Sequence, residues 1–164
     1  PCHYKEDRDM SNYFTKVSRE RFIADGGDES AYDGIKLPVR ATSGSAGYDF
    51  FAPSELSIPA GGTVKVPTGI RCRMDNDRVL AIFPRSGLGF KYRLALDNTV
   101  GIIDADYFGA DNEGHIMIKM TNNGTRDLVV EAGKGFAQGI FLKYYLTDDD
   151  SAAASRTGGF GSTG

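Results

Sequence analysis

The stretch GHIMIKMTN, residues 114–122, carries the clearest periodic pattern in this sequence. Apolar positions alternate there with a second set of positions: Ile116, Ile118 and Met120 against His115, Met117 and Lys119. A period of two places the two sets on opposite faces of a β-strand. We therefore expect a strand whose apolar face is buried, and we expect His115 to lie exposed on the other face.

Similar short segments follow one another from residue 34 onward, separated by Gly, Pro, Asn and Asp. They are IKLPVRA, GYDFFA, TVKVPTGIRCRM, RVLAIF, YRLALDNTVGIID, RDLVVEA and GIFLKYYL. Many short strands with little room for crossover helices favour an antiparallel sandwich, jelly roll or barrel. We predict an all-β domain over residues 34–146.

The N-terminal residues 1–33 have a different pattern. Apolar side chains are spaced i, i+3, i+4 and i+7 at Met10, Tyr13, Phe14 and Val17. This spacing predicts a short amphipathic helix, which the run Asp25–Asp28 would end. We interpret residues 1–33 as an extension packed on the domain, with a partner-binding helix as the alternative.

The C-terminal residues 147–164 form the third part of the chain. TDDDSAAAS is acidic and then small and polar, which is typical of a flexible linker. RTGGFGSTG follows it, and its glycines make an ordered backbone costly in conformational entropy. We expect a flexible C-terminal arm.

Composition and charge exclude several classes of protein. With 40% hydrophobic and 25% charged residues, the chain of 164 residues has the composition of a globular domain. We expect neither membrane insertion nor a signal peptide, and hence a cytoplasmic protein, or a nuclear one in a eukaryote. The net charge of −3 argues against stable nucleic-acid binding. Cys2 and Cys72 show no disulfide or metal-binding pattern.

Three stretches could carry chemistry, although each has a plain structural alternative. PRSGLG follows an apolar strand and could present Arg85, Ser86 and backbone N–H groups to an anion, but the same stretch is typical of a tight turn. Asp104 follows Ile-Ile where a strand ends, so partial burial could tune it as a general base, whereas aspartates also begin turns. Asp49, inside an apolar strand, is either a turn or edge residue or an outer-shell partner of a hydrated divalent cation.

Taken together and in order, AGYDFFA, PRSGLG, NTVGIIDADYFG, GKGFAQGIF and RTGGFGSTG resemble the five motifs of the trimeric dUTPase family. The resemblance implies a jelly-roll subunit, a homotrimer with active sites at subunit interfaces, and Mg²⁺-dependent hydrolysis of dUTP to dUMP and pyrophosphate. This reaction limits uracil in DNA and supplies dUMP for dTTP synthesis.

The resemblance also implies a role for each matching residue. Asp104 would deprotonate the water that attacks the α-phosphorus, and Asp49 would bind Mg²⁺ through water. The residues implied to contact the phosphate chain are Arg85, Ser86, Gly87 and Gln138.

The nucleoside and the arm complete the implied site. Asn98 with backbone groups around Gly101 and Ile103 would recognise the uracil edge, while Tyr107 would pack against the deoxyribose. In the arm, which a neighbouring subunit would supply, Phe160 would stack on uracil. The arm residues implied to hold the terminal phosphates are Arg156, Gly161, Ser162 and Thr163.

The sequence departs from the family pattern at several positions. Gly135 stands where the fourth motif usually has Arg, and Phe108 stands where Arg or Gln is typical. Residues 110–114 also lengthen a connection, which reads either as a surface insertion or as a loop that recognises a protein partner.

The sequence leaves two other functions open. The related dCTP deaminases share the fold, but the catalytic Glu that they need is not evident in this sequence. A regulatory protein could hold a partner through residues 1–33 or 110–114.

Overall fold

The computed structural model describes residues 12–159, which form a mostly β structure. The strands are β1 (Tyr13–Lys16), β2 (Val39–Arg40), β3 (Tyr48–Phe51), β4 (Leu56–Ile58), β5 (Thr63–Pro67), β6 (Ile70–Arg73), β7 (Arg78–Pro84), β8 (Leu94–Leu96), β9 (Gly101–Asp104), β10 (Met117–Asn122), β11 (Leu128–Val130) and β12 (Gly135–Lys143). The helices are α1 (Arg19–Ala24), α2 (Ser86–Tyr92) and the 3₁₀ helices Glu29–Ala31 and Ala105–Gly109.

The largest sheet has the strand order β2-β3-β12-β7-β9, and β12 pairs with β7 along its length, from Ala137 opposite Pro84 to Lys143 opposite Arg78. A second sheet has the order β5-β10-β8, and two-stranded sheets join β1 to β6 and β11 to β4. All these pairings, within residues 12–159, are antiparallel. The expected all-β fold built from antiparallel strands is therefore confirmed.

The core is built from side chains of several sheets. Phe50 and Phe136 from the large sheet are buried together with Ile116, Ile118 and Met120 of the stretch 114–122. Burying aliphatic and aromatic side chains of this size is the main favourable contribution to folding. The apolar face predicted from the alternation is thus confirmed.

The exposed position predicted for His115 is wrong. β10 begins only at Met117, so His115 precedes the strand and the alternation does not apply to it. Its side chain is fully buried, where Nδ1 lies 2.6 Å from Asp25 Oδ2 and Nε2 accepts a hydrogen bond of 2.8 Å from Gly69 N.

The N-terminal helix predicted from residues 10–17 is also wrong over the residues that the structure describes. Tyr13–Lys16 form β1, which pairs antiparallel with β6. Phe14 packs against the rings of Phe50 and Phe141, so aromatic packing on a pleated surface determines this segment. A helix does follow, because Ser18 caps α1 by accepting a hydrogen bond from Arg21 N, and α1 ends before Asp25 as expected.

The tight turn favoured for PRSGLG is replaced by a short helix. α2 begins at Ser86, and the amides of Leu88 and Gly89 both donate to Arg85 O. The helix ends at Tyr92, and the C-cap residue Arg93 has a left-handed φ of 52°. Among the helices of residues 12–159, none has the length and apolar character needed to cross a bilayer.

Candidate active site

A cleft of about 670 Å³ opens beside β8, β9 and β10. It brings together most of the residues that the resemblance assigns to the nucleoside and the catalytic base. Those that line it are Asn98, Gly101, Ile103, Asp104 and Tyr107, and the arm residues Arg156 and Gly159 line it as well.

The turn between β8 and β9 shapes the inner part of this cleft. Thr99 has a φ of 67°, and Val100 N donates to Asn98 O over 2.7 Å. A Cβ added at Gly101 would lie 3.0 Å from Ile82 Cβ, so a larger residue there would push β9 away from β7. A tight turn that presents an amide side chain and backbone polar groups to an apolar cleft suits a planar, hydrogen-bonding base.

Asp104 ends β9 at the rim of the cleft. Its side chain is 47% exposed, and Oδ2 lies 2.5 Å from Arg156 Nη2. Nε of the same guanidinium lies 2.8 Å from Asp106 Oδ1. A carboxylate at the rim of a cleft can accept a proton from a water molecule bound there, which a general base requires.

Tyr107 forms a buried wall of the cleft. Its hydroxyl donates to His115 O and accepts from Asn112 Nδ2, both over 2.7 Å, and burial raises the pKa of the phenol. A Cβ added at Gly159 would lie 2.5 Å from Cε2 of the ring, so only glycine lets the arm backbone lie this close. The wall and the arm therefore touch.

A second cluster lies around the end of β7. Arg85 Nε is 3.3 Å from Asp49 Oδ1, and Gln138 Nε2 donates to Pro84 O over 3.2 Å. A Cβ added at Gly47 would lie 2.5 Å from Gln138 Oε1, which shows how closely the first motif approaches the fourth. Ser86 and Gly87 follow Arg85 and are exposed.

Gly135 makes room for this cluster. A Cβ added there would lie 2.9 Å from Arg85 Nη1, so the Arg85 side chain crosses the space above Gly135 on its way to Asp49. The arginine missing from the fourth motif is therefore matched by an arginine from the second motif that passes over the same position.

The two clusters lie apart on one chain. Asp104 is paired with Val79 near the start of β7, whereas Arg85 follows the last residue of that strand. At about 3.3 Å per residue, Val79 and Arg85 are separated by roughly 20 Å along the strand. One chain thus brings Asp104 together with the nucleoside cleft, and Arg85 together with Asp49 and Gln138, but it does not bring the two groups together.

Three polar residues of the cleft were missed by the sequence reasoning: Lys65, Asp97 and Lys119. Lys119 Nζ lies 3.2 Å from Asp97 Oδ2, and Thr121 Oγ1 donates to Asp97 Oδ1 over 2.6 Å. The hydrogen bond from Thr121 and the charge of Lys119 lower the pKa of Asp97. The alternation in 114–122 places Lys119 on the strand face away from the core. This pattern was the feature of the sequence that could have pointed to Lys119.

The arm is described only in part. Arg156–Gly159 lie against Asp104 and Tyr107 of their own chain, whereas the resemblance implied an arm from a neighbouring subunit. Phe160, Gly161, Ser162 and Thr163 fall outside the described residues, so their implied roles stay predictions.

Comparison with known proteins identifies the family. A family model described as dUTPase matches residues 33–164. The chain belongs to the dUTPase family. The deoxyuridine 5'-triphosphate nucleotidohydrolase of Lactococcus lactis is 41% identical over 134 residues, covering 80% of this chain and 89% of the relative. The crystal structure of dUTPase from Streptococcus mutans matches with a TM-score of 0.66 and 38% identity, covering 83% of this chain and 98% of the other.

A more distant structure shares the fold alone. It is a mutant dUTPase from phage phi11 of Staphylococcus aureus, described as coordinating a structural Mg(II) ion. It is 15% identical, with a TM-score of 0.63 over 88% of this chain and 97% of that one.

Proposed function

We propose that this chain hydrolyses dUTP to dUMP and pyrophosphate, in a homotrimer whose active sites each use more than one subunit. The observation that carries the proposal is the position of Asp104 at the rim of the cleft that contains Asn98, Gly101 and Tyr107. A base bound against the β8–β9 turn leaves its sugar beside Tyr107 and its α-phosphate near Asp104. Family membership supports the same reaction.

Asp104 acts as the general base. It orients a water molecule and takes its proton as the oxygen attacks the α-phosphorus, with pyrophosphate as the leaving group. In the absence of substrate, Arg156 pairs with this carboxylate. Substrate phosphates compete for that guanidinium, because arginine binds phosphate oxygens in the same forked geometry as a carboxylate.

The β8–β9 turn and Tyr107 select the nucleoside. Asn98, with backbone groups at Gly101 and Ile103, satisfies the polar edge of uracil, and Tyr107 closes the space at the sugar C2′. A site that must satisfy the polar edge of a base discriminates more strongly than a site that excludes a group by shape alone. Selection of uracil is therefore stricter than selection of deoxyribose.

Arg85, Ser86, Gly87 and Gln138 hold the phosphate chain. Mg²⁺ fits beside them, since it is commonly bound by one or two carboxylates together with substrate phosphates, and Asp49 supplies a carboxylate there through water. When bound, Mg²⁺ neutralises charge on the pyrophosphate. Arg85 keeps Asp49 in place through the contact of 3.3 Å.

The separation of the two clusters supports the proposed homotrimer. Asp104 and Arg85 are roughly 20 Å apart along β7, so both act on one triphosphate only if they come from different subunits. The arm, with Phe160, Gly161, Ser162 and Thr163, then covers the bound nucleotide and excludes water, as lids do. The enzyme acts on the nucleotide pool of the cytoplasm, or of the nucleus in a eukaryote, where it limits uracil in DNA and supplies dUMP for dTTP synthesis.

Pyrophosphate release from dUTP, compared with dCTP, dTTP and UTP, tests the activity. We expect a strong preference for dUTP and loss of turnover when Mg²⁺ is chelated; equal rates on all four nucleotides would contradict the specificity. Ammonia release from dCTP would instead favour a deaminase.

Asp104→Asn tests the base. Turnover should fall about 10²- to 10⁴-fold while the oligomer and dUTP binding persist. Asp106→Asn is the matched control, because Asp106 shares the same Arg156 guanidinium, and we expect it to keep turnover within about threefold. Equal turnover of Asp104→Asn and wild type would remove Asp104 from this role.

A further inference from the structure

Tyr107 depends on the loop that follows it for its position. The ring is buried, and its hydroxyl is held by Asn112 Nδ2 and by the carbonyl of His115. A phenol with a hydrogen bond on both sides of its oxygen keeps one ring position, because any rotation would leave a buried polar group without a partner.

Asn112 itself has a fixed orientation. Its Oδ1 accepts from Gly114 N over 3.1 Å, so its amide nitrogen faces the Tyr107 hydroxyl. The loop folds tightly onto the site: Gly114 has a φ of 70°, and a Cβ there would lie 2.5 Å from Tyr107 O. The loop and the tyrosine are therefore packed as one unit.

The loop is in turn held by the N-terminal segment, most of which precedes the residues matched by the family model. Glu113 accepts hydrogen bonds from Ser18 N and Ser18 Oγ, over 2.8 Å and 2.6 Å. Burial raises the pKa of Glu113, but these hydrogen bonds and nearby arginines outweigh it and leave the pKa lowered. The two segments for which the sequence suggested a protein partner thus contact one another, beside the active site.

We infer that Asn112 is a positioning residue that sets the discrimination between deoxyribose and ribose by fixing Tyr107. The inference rests on the proposed function, in which Tyr107 closes the space at the sugar C2′. A tyrosine that is free to move by a few tenths of an ångström admits a 2′-hydroxyl more readily. When Asn112 is replaced, the Tyr107 hydroxyl still donates to His115 O, which keeps the ring in the wall of the cleft. The replacement therefore makes the position of the ring less precise but does not remove the ring from the wall.

The test compares kcat/KM for dUTP and for UTP in wild type and in Asn112→Ser. Serine can still accept from Gly114 N but is too short to reach the Tyr107 hydroxyl. We expect the ratio of dUTP to UTP to fall about two- to tenfold, which is the effect of one net hydrogen bond. The change should appear as a lower KM for UTP, with kcat for dUTP less affected.

Two further variants separate positioning from general loosening. Asn112→Asp also keeps the acceptor for Gly114 N and loses the donor to Tyr107, so it should reproduce the lower ratio. Asn123→Ser, an asparagine that does not line the cleft, is the control and should leave the ratio unchanged.

A double-mutant cycle identifies the path of the effect. In Tyr107→Phe the hydroxyl is absent, so adding Asn112→Ser should change the ratio no further. An unchanged ratio in both Asn112 variants, or an equal fall in the Tyr107→Phe background, would overturn the inference. Failure of the proposed function is distinguishable, because wild type would then release no pyrophosphate from dUTP.

Discussion

The buried pair Asp25–His115 makes stability depend on pH in a predictable direction. Nε2 of His115 accepts a hydrogen bond from Gly69 N, so that nitrogen carries no proton, and the proton on Nδ1 points to Asp25 Oδ2. Protonating Nε2 would set two N–H donors against each other in the core. Burial accordingly lowers the pKa of His115, although Asp25 raises it.

The size of the effect follows from proton linkage. An unfolded histidine titrates with a pKa of 6.5, whereas the folded one stays neutral to lower pH. The contribution of neutral His115 to the free energy of unfolding is therefore complete above pH 6.5. It is lost as the pH falls below that value, at up to about 1.4 kcal/mol per pH unit. Between about pH 7.5 and pH 5.5 the free energy of unfolding should fall by up to about 1.4 kcal/mol, the limit reached if the folded histidine stays neutral throughout.

Urea unfolding at fixed protein concentration measures this change, because the stability of the proposed oligomer would depend on protein concentration. His115→Gln keeps a polar amide and does not titrate, so it should be less stable by about 1–3 kcal/mol yet nearly independent of pH over this range. His3→Gln, which replaces the other histidine of the sequence, is the control. An equal pH slope in wild type and His115→Gln would refute the reasoning.

Three other substitutions test the packing around the site. Gly135→Ala should displace Arg85 from Asp49, because the new Cβ would lie 2.9 Å from Arg85 Nη1. Steady-state kinetics should then show that KM for dUTP rises about two- to tenfold, while the melting temperature stays nearly unchanged. Gly114→Ala should cost more than about 2 kcal/mol in urea unfolding, because φ is positive there and the Cβ would meet backbone. Phe22→Ala should cost about 3–5 kcal/mol by the same measurement, because Phe22 is fully buried; a loss below about 1 kcal/mol would show that α1 contributes little to the core.

The sequence predicted a strand correctly where only one face of that strand is buried. Ile116, Ile118 and Met120 alternate within a real strand, so their burial could be read directly. The same reasoning failed at His115, since alternation gives no sign of where a strand begins. Here the backbone before β10 passes through two residues with positive φ, Glu113 and Gly114, and turns the histidine inward.

The segment around Phe14 shows a different limit. Its apolar spacing fits a helix, but a short segment beside the edge of β6 gains more from pairing and aromatic packing than from helical hydrogen bonds. Two of the seven residues of α2 are glycines, and glycine disfavours a helix. The local sequence therefore favoured a turn, whereas tertiary contacts stabilise a helix there.

The candidate site was predictable from the order of the motifs but not from any one of them. Asp104, Asn98 and Tyr107 do share a cleft. The path of Arg85 over Gly135 and the support of Tyr107 by Asn112 depend on side-chain contacts between segments distant in sequence. Such contacts leave no periodic pattern in a single chain.

The placement of Asp104 and Arg85 near opposite ends of β7 has a genetic consequence under the proposed trimer. A chain with Asp104→Asn and a chain with Arg85→Ala would each be inactive alone, yet each retains the half of the site that the other lacks. Refolded together, they should form some sites with both halves intact. Two defective copies of this gene would then complement each other within one oligomer, which a site contained in a single chain does not allow.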